Sequence, residues 1–361
     1  MTPEEKAAAA RTAAVAVDHL NTTVEDVSKV IRGRIARGLS VLGPAGRVPM
    51  AAVDATHTGV HQAIRVGAAG AGSLAAVALA AKADPAAAPM AQSAVGLQGQ
   101  SVLGAAFGDR LPGPLAPPMS IHLPESVAGY HALAVFIHGL GGHEQQWGAD
   151  YAVAVAAAGM VPVFVRYTTG RSIDENALEL DSALAEVVRE WPDELDRIVL
   201  IGHSMGGLVA TRAVQLAEPE SPWVDLVTDV VTLGSPHEGA PLERVSNATL
   251  NTLIATSEVA APIARLGHAR SRGVKDLGPG LAEPLPPTIA HTAVVAAVGA
   301  TTGTSVSTVL GDGIVPVSSA RGLAPDAPHV TVVEFTRSHH QSLLNHPGVT
   351  ELLSGIATRS G

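Results

Sequence analysis

The chain has 361 residues and a formal net charge of −10; 47% of its residues are hydrophobic, although only 3% are aromatic. A chain of this length and apolar content can bury one large core or two ordinary ones. The acidic charge argues against nucleic acid as a general partner. Because there are no cysteines, disulfides, thiolate metal sites and a cysteine nucleophile are excluded.

Residues 1–95 are rich in alanine, have apolar residues at helical spacing and contain no strand-like run. This predicts an Ala-rich helical N-terminal extension. The first residues are acidic and lack a basic segment followed by an apolar one, so we expect no secretory signal and a cytoplasmic protein. The uncharged run at 66–81 is short for a membrane span and predicts a packed helix, with contact to a lipid surface as the alternative.

From about residue 119 the pattern changes to short apolar runs that alternate with helical stretches. The clearest helical stretch is 173–191, which opens with a capping box from Ser172 to Glu175. Strands in this alternation, apolar on both faces, predict a doubly wound, mostly parallel α/β sheet in residues 96–361. The predicted strands are 132–139, 160–167, 197–204, 229–236, 292–298 and 329–335.

A helical segment at about 242–285 separates two of these predicted strands. In open α/β sheets ligands bind beyond the carboxyl ends of the strands. An insertion between strands usually arches over that edge, and we therefore predict that 242–285 forms a lid region.

The sequence Gly-His-Ser-Met-Gly at 202–206 lies between a predicted strand and a predicted helix. In that context the Gly-x-Ser-x-Gly pattern indicates a nucleophile elbow, in which a strained serine stands clear at the end of the strand. The alternative is a Gly-rich loop with a solvated serine, since glycine and serine are both common here. The position between strand and helix favours Ser204 as a nucleophile.

A second Gly-rich turn, His-Gly-Leu-Gly-Gly at 138–142, follows an earlier predicted strand. Such a turn can present a backbone N–H to a reacting oxygen, and the residue after the nucleophile supplies another. We predict an oxyanion hole formed by the N–H groups of Leu140 and Met205. His138 is interpreted as a structural hydrogen-bonding residue rather than as the catalytic base.

An elbow serine needs a histidine base and an orienting carboxylate, in the chain order Ser, acid, His. Asp312, flanked by two glycines, is the best acid, and Glu238 is the runner-up. His340 is the predicted base because Leu343 and Leu344 follow it at a spacing that ties its loop to the core.

Other histidines of the chain are interpreted separately. His339 is the competitor for the role of base, and His346 with Pro347 is interpreted as the start of the terminal helix. His57 and His61 are four residues apart on a predicted helix, but no third ligand is evident nearby. We interpret them as a packed or surface pair, and we predict neither a metal nor a cofactor.

Taken in order, seven segments resemble the α/β-hydrolase superfamily, and specifically lipase-like esterases similar to GPI inositol-deacylases and bacterial triacylglycerol lipases. The resemblance covers about 120–361. The segments are FIHGLGG, RYTTGRSIDENALEL, IGHSMGGLVA, LGSPHEGAPLE, RSRGVKDLG, GDGIVPVSSA and HHQSLLNHP.

The resemblance implies that Ser204 is the nucleophile, Asp312 the acid and His340 the base, with Leu140 and Met205 at the oxyanion. Calcium-dependent bacterial lipases carry an aspartate two residues after the catalytic histidine. Ser342 stands there in this chain, so the calcium site is not carried over. Those lipases are also secreted, whereas no signal is evident here.

The predicted function is a serine hydrolase that cleaves carboxylic esters, with a small-molecule or lipid ester as substrate. Acyl transfer to an alcohol is the alternative reaction, because the same acyl-enzyme serves both. The alternative from another class is a protein that binds lipid or granule surfaces through its N-terminal helices. The sequence pattern carries no information on acyl-chain length or oligomeric state.

Overall fold

The computed structural model describes residues 1–13, 69, 73–82, 84, 86–111, 113–218, 220–241, 271–301 and 311–359. These residues fall in two compact units. One unit holds the described residues up to Gly96 together with Arg110–Leu115, and the other holds Leu97–Asp109 and the described residues from Ala116 onward. Within the ranges given, no helix is both long enough and apolar enough to cross a bilayer.

In the first unit, residues 3–13 and 73–81 are helical. The first of these helices begins at a reciprocal cap, in which the Thr2 hydroxyl accepts from the Glu5 N–H and the Glu5 carboxylate accepts from the Thr2 N–H. The same carboxylate accepts from the N–H of Met90 at 2.7 Å. Such caps satisfy N–H groups that a helix leaves without partners at its start.

The second unit is built on a seven-stranded sheet whose order is β1-β3-β2-β4-β5-β6-β7. β1 is antiparallel to β3, and the other neighbouring strands are parallel. This confirms the predicted doubly wound, mostly parallel sheet. The strands are β1 (Ser120–His122), β2 (Ala132–Ile137), β3 (Val161–Arg166), β4 (Arg197–His203), β5 (Val227–Leu233), β6 (Ala290–Ala297) and β7 (Val330–Thr336).

The labelled helices occupy both faces of this sheet. The helices at 173–190 and 205–216 pack on one face and those at 149–157 and 347–357 on the other, and the apolar residues of the parallel strands are divided between the two apolar clusters. The bounds are α1 (Ala94–Phe107), α2 (Ala149–Ala157), α3 (Ile173–Glu190), α4 (Met205–Leu216), α5 (Arg272–Asp276), α6 (Val317–Ala320) and α7 (Pro347–Ala357).

Two predicted helix starts are confirmed. Ser172 and Glu175 form a reciprocal capping box at the start of α3. His346 caps α7 by accepting from the N–H of Gly348, and Pro347 is the first helical residue, where its missing N–H costs nothing.

The six predicted strands are present, each within two residues of the predicted start. β1 was not predicted: it has three residues, two of them exposed, and therefore no apolar run. Residues 242–270 of the predicted lid lie outside the described residues. The described part of that region contains α5, whose Gly273 donates its N–H to the Gly170 carbonyl at 3.1 Å.

Candidate active site

Ser204 lies between β4 and α4 in a strained backbone conformation, with φ 54° and ψ −123°. Among the described residues other than glycine, only Ser204 and Arg337 have a positive φ. The conformation costs on the order of 1–3 kcal/mol and persists where the surroundings enforce it. The N–H of Ser204 donates to the carbonyl of Leu233 on β5 at 2.8 Å, which holds the turn against the sheet.

The glycines around Ser204 are required by close packing of strand against helix. A Cβ on Gly202 would lie 2.3 Å from the nitrogen of Gly207, and a Cβ on Gly206 would lie 2.1 Å from the carbonyl oxygen of Ile137. These distances are far below van der Waals contact. Alanine at either position would therefore force α4 away from the sheet and move the serine.

Asp312 and His340 form a buried pair beside this elbow. The Nδ1 of His340 is 2.6 Å from Oδ2 of Asp312, and the backbone N–H of His340 donates to the Asp312 carbonyl at 3.1 Å. The other carboxylate oxygen accepts from the N–H groups of Ile314 and Val315 at 3.0 and 2.8 Å. Two backbone donors therefore hold the carboxylate toward the imidazole.

Burial alone would raise the pKa of Asp312, but the charge and hydrogen bond of His340 and the two backbone donors leave that pKa below its ordinary value. An ionised carboxylate only accepts hydrogen bonds. The contact thus requires Nδ1 to carry a hydrogen, and in the neutral imidazole Nε2 then has a free lone pair. Gly234 leaves space for the pair, since a Cβ there would lie 3.1 Å from Asp312 Oδ2 and 3.2 Å from His340 Nδ1.

The rival acid and base lie elsewhere. Glu238 is exposed, and no hydrogen bond joins it to a histidine in the described ranges. His339 is also exposed, and its ring accepts from the N–H of Ser342 as the cap of a 3₁₀ turn that begins at His340. Leu343 and Leu344 are buried, and the Leu343 carbonyl accepts from the hydroxyl of Tyr151 at 2.6 Å.

The second Gly-rich turn packs directly against the elbow. A Cβ on Gly139 would lie 2.9 Å from the Cβ of Ser204. The N–H of Gly142 donates to the Gly139 carbonyl at 3.0 Å, and Gly141 has φ 70°, which is typical of a type II turn. No hydrogen bond from the N–H of Leu140 or of Met205 to an acceptor is found within the described residues.

Ser204 and His340 line the same cleft. Its polar edge includes Gln146 and Gln341, while the remaining side chains are mostly apolar. No hydrogen bond joins Ser204 to His340 among the described contacts. The residue before Ser204 is His203, and the centroid of its ring lies 4.8 Å from the centroid of the His340 ring. The apolar side chains of the cleft are Val102, Leu140, Ala240, Leu277, Ile314 and Val315.

Two further histidines support these loops without carrying a charge. Burial lowers the pKa of His203 to about 3 and that of His138 to about 4. His203 Nε2 lies 3.1 Å from the carbonyl of His340. His138 stacks on Tyr167, whose hydroxyl donates to the His138 carbonyl at 2.7 Å. The structural interpretation of His138 agrees with these contacts.

Sequence reasoning missed the contribution of α1 to this site. The side chain of Val102 forms part of the cleft, and the Gln98 amide donates to the carbonyl of Gly141 at 3.3 Å. The Ala- and Gly-rich pattern of α1 contains no chemical motif, and the predicted domain boundary after residue 95 lies in its first turn. Thr169, in the loop after β3, was missed as well; its hydroxyl accepts from the N–H of Gly141 at 3.1 Å.

Among the described residues, no group of three or more histidines, aspartates or glutamates is arranged to hold a metal ion. Ser342, at the position compared with the calcium aspartate, bonds only locally to His339. His57 and His61 lie outside the described residues.

A family model described as the PGAP1-like α/β domain matches residues 165–260. No curated protein matches the chain significantly.

Among solved structures, a mature lipase from Bacillus licheniformis is similar, with a TM-score of 0.48, 20% identity, and coverage of 67% of this chain and 98% of that one. An esterase from Exiguobacterium antarcticum has a TM-score of 0.46 and 15% identity, over 67% of this chain and 96% of the other. An esterase from Rhodococcus sp. ECU1013 has a TM-score of 0.45 and 14% identity, over 67% and 95%.

Three features of this chain agree with one another: the strand order of its mostly parallel sheet, the strained serine between β4 and α4, and the family match that spans this serine. The chain is therefore similar over residues 165–260 to the PGAP1-like α/β domain, and the mostly parallel sheet agrees with that description.

Proposed function

We propose that this protein is a serine hydrolase that cleaves carboxylic esters through an acyl-enzyme. The observation that carries the proposal is the strained Ser204, which opens on the same cleft as His340, while His340 is bonded to the buried Asp312. A nucleophile, a base with a free nitrogen and an orienting carboxylate are the groups that acyl transfer requires.

In this proposal His340 Nε2 takes the proton of the Ser204 hydroxyl as the oxygen attacks the ester carbonyl. The carbonyl π electrons move to the oxygen, giving a tetrahedral oxyanion. Collapse of this intermediate breaks the bond to the leaving alcohol, which receives the proton from His340. Water then attacks the acyl-enzyme by the same route and releases the acid. Asp312 holds Nδ1–H throughout and stabilises the imidazolium.

The N–H groups of Leu140 and Met205 are proposed to bind the oxyanion. Both lack a partner within the described residues, and Met205 is the first residue of α4. The start of a helix carries a partial positive charge, which favours a developing negative one.

The apolar lining of the cleft favours an ester with an apolar acyl group, from a small molecule or a lipid. Each methylene group of a substrate that is buried against these six apolar side chains contributes about 0.8 kcal/mol to the binding free energy. We therefore expect kcat/KM to rise with acyl length until the cleft is filled. The predicted lid role of 242–285 belongs to this proposal as well.

The test is hydrolysis of a series of p-nitrophenyl esters by the full chain and by Ser204→Ala. The wild type should hydrolyse these esters and should be labelled at Ser204 by a fluorophosphonate. The Ser204→Ala variant should show neither hydrolysis nor labelling. Activity that survives the substitution would overturn the proposal. Added alcohols report the reaction type, since transfer of the acyl group to the alcohol in preference to water would identify an acyltransferase.

One observation favours a second candidate function, which is binding to a lipid surface. The helix at 73–81 exposes large apolar side chains, with Leu74 at 75% and Val77 at 71%. Flotation with anionic phospholipid vesicles tests this function: Leu74→Glu with Val77→Glu should abolish association if the helix binds lipid. Flotation that is unchanged by both substitutions would exclude the helix as the lipid contact.

A further inference from the structure

A chain of side-chain hydrogen bonds connects α1 to the turn that is proposed to bind the oxyanion. The Nε2 atom of His143 lies 3.2 Å from the Oε1 atom of Gln98. The amide nitrogen of Gln98 then donates to the carbonyl of Gly141 at 3.3 Å. The Gln98 amide is thus bonded to His143 through its oxygen and to the Gly141 carbonyl through its nitrogen.

The direction of these bonds is determined by the backbone. The N–H of Gln145 donates to His143 Nδ1 at 3.2 Å, so this nitrogen must be the acceptor and Nε2 must carry the hydrogen. His143 Nε2–H therefore requires the oxygen of the Gln98 amide, and the NH₂ group is left for Gly141. Burial lowers the pKa of His143, and the charge of Glu144 offsets this only in part, which favours the neutral ring that the arrangement needs.

The turn is held from both sides at Gly141. Its N–H donates to the hydroxyl of Thr169 at 3.1 Å, while its carbonyl accepts from Gln98. Two successive peptide planes are therefore fixed next to Leu140, whose N–H has no partner among the described residues. Loss of the Gln98 bond would free one of these planes.

α1 can transmit this restraint because it is itself tightly docked. A Cβ on Gly170 would lie 2.1 Å from the carbonyl oxygen of Gly104, and one on Gly108 would lie 2.5 Å from Thr168. The carbonyl of Ala105 accepts from the hydroxyl of Ser271 at 2.6 Å. The helix backbone is thus in direct contact with the loop after β3, on the same side as Thr169.

We propose that Gln98, oriented by His143, is a positioning residue that holds the turn at Gly139–Gly142 so that the Leu140 N–H can bind the oxyanion. This inference rests on the proposed ester hydrolysis. It assigns to α1, which carries no catalytic motif, a role in the transition state in addition to the contribution of Val102 to the cleft.

The discriminating substitution is Gln98→Glu, which keeps the size of the side chain. A carboxylate can still accept from His143, but it has no hydrogen to donate and would repel the Gly141 carbonyl. We expect kcat to fall about tenfold to a hundredfold, because a small misplacement of a catalytic group costs this much, while KM stays within about twofold. Gln98→Ala should reduce kcat less, since it removes the bond without the repulsion.

A second measurement reports on the oxyanion itself. Ser204 adds to the carbonyl carbon of a trifluoromethyl ketone, the π electrons move to the carbonyl oxygen, and the proton goes to His340. The inhibition constant of such a ketone should rise in Gln98→Glu by about the same factor as kcat falls. The matched control is Gln92→Glu, which adds the same charge at an exposed residue and should leave both values unchanged.

A double-mutant cycle tests the connection from His143. His143→Phe should lower kcat in the same direction as Gln98→Ala, and the double variant should be no worse than Gln98→Ala alone, because His143 acts through Gln98. If Gln98→Glu fails to fold, Gln98→Ala and this cycle give the answer. Full additivity, or wild-type kcat and ketone inhibition in the Gln98 variants, would overturn the inference.

Failure of the proposed function would look different. In that case the wild type itself would hydrolyse no ester and would not be labelled at Ser204. An active, labelled wild type with unaffected Gln98 variants would instead contradict only the role of Gln98.

Discussion

Two buried aspartates at opposite edges of the sheet show how the same residue type serves different purposes. Asp229, near the start of β5, accepts from Arg197 at 2.8 Å and from Thr228 at 2.7 Å. Arg197 also donates to the carbonyl of Ile356 at 3.0 Å, at the end of α7. Asp312, at the carboxyl edge, is paired with His340.

The partners make the difference. Arginine stays charged in proteins, so the Arg197–Asp229 pair has no proton to exchange, and its other bonds join β4, β5 and α7. Histidine can gain and lose a proton near neutral pH, and His340 opens on the cleft beside Ser204. The pair at the amino edge therefore connects elements of the fold, whereas the pair at the carboxyl edge lies beside Ser204 and is the one proposed to act in catalysis.

The largest expected effect separates the two adjacent histidines. His340→Ala should lower kcat by about 10⁴ or more, the scale for loss of a triad member. His339→Ala should lower kcat about tenfold or less, because His339 is exposed and only caps a short turn. This is the scale of effect expected for a residue that supports a catalytic group. Steady-state kinetics on one p-nitrophenyl ester measures both. The reverse order would mean that His339 is the base.

A pair of isosteric substitutions compares the two aspartates directly. Asp312→Asn should lower kcat on the order of 10³-fold, because an amide can no longer hold the imidazole in the productive tautomer. Asp229→Asn should leave kcat within about twofold and lower the melting temperature instead, since it removes the charge opposite a buried arginine. Equal kinetic losses in both variants would contradict the division between the edges.

Removal of the arginine should affect stability alone. Arg197→Met leaves the buried carboxylate of Asp229 without its main partner, and breaking such a pair costs about 3–5 kcal/mol. Urea unfolding at 25 °C should show a lower midpoint with an unchanged slope, and kcat of the folded fraction should match the wild type. A midpoint within error of the wild type would show that the pair contributes little.

Low pH should lower the free energy of unfolding through buried histidines, because these can gain a proton, whereas Arg197 stays charged. Burial lowers the pKa of His237 to about 3 and that of His291 to about 4. Both rings bond to Thr232. The unfolded chain binds these protons below about pH 6.5 and the folded chain does not, so the free energy of unfolding should be greatest above that pH and fall toward lower pH.

Each of these rings contributes a slope of up to about 1.4 kcal/mol per pH unit between its unfolded and folded pKa. Asp312, whose pKa is lowered in the fold, adds a loss at still lower pH, as pH falls through its folded pKa. His237→Gln should flatten the slope between about pH 6 and 4. Urea midpoints of wild type and variant across this range measure the effect, and parallel curves would exclude His237.

The strands and the residues at their carboxyl ends were predictable because burial leaves a local signal. Apolar runs reported the parallel strands, and the leucine pair at 343–344 distinguished His340 from His339 by spacing. β1 and α1 left no such signal. β1 has two exposed residues of three, and the contacts of Gln98 are with residues more than forty positions away, which periodicity does not report.

The docking of α1 has a consequence for how short the chain can be made. A chain that starts at Met119 would keep all seven strands, Ser204, Asp312 and His340, and by motif it would look complete. It would lack Val102 and Gln98, and with them one wall of the cleft and the restraint on Gly141. For the proposed hydrolysis, the shortest functional chain therefore begins before β1, since a chain chosen from the motifs alone would leave one side of the cleft open.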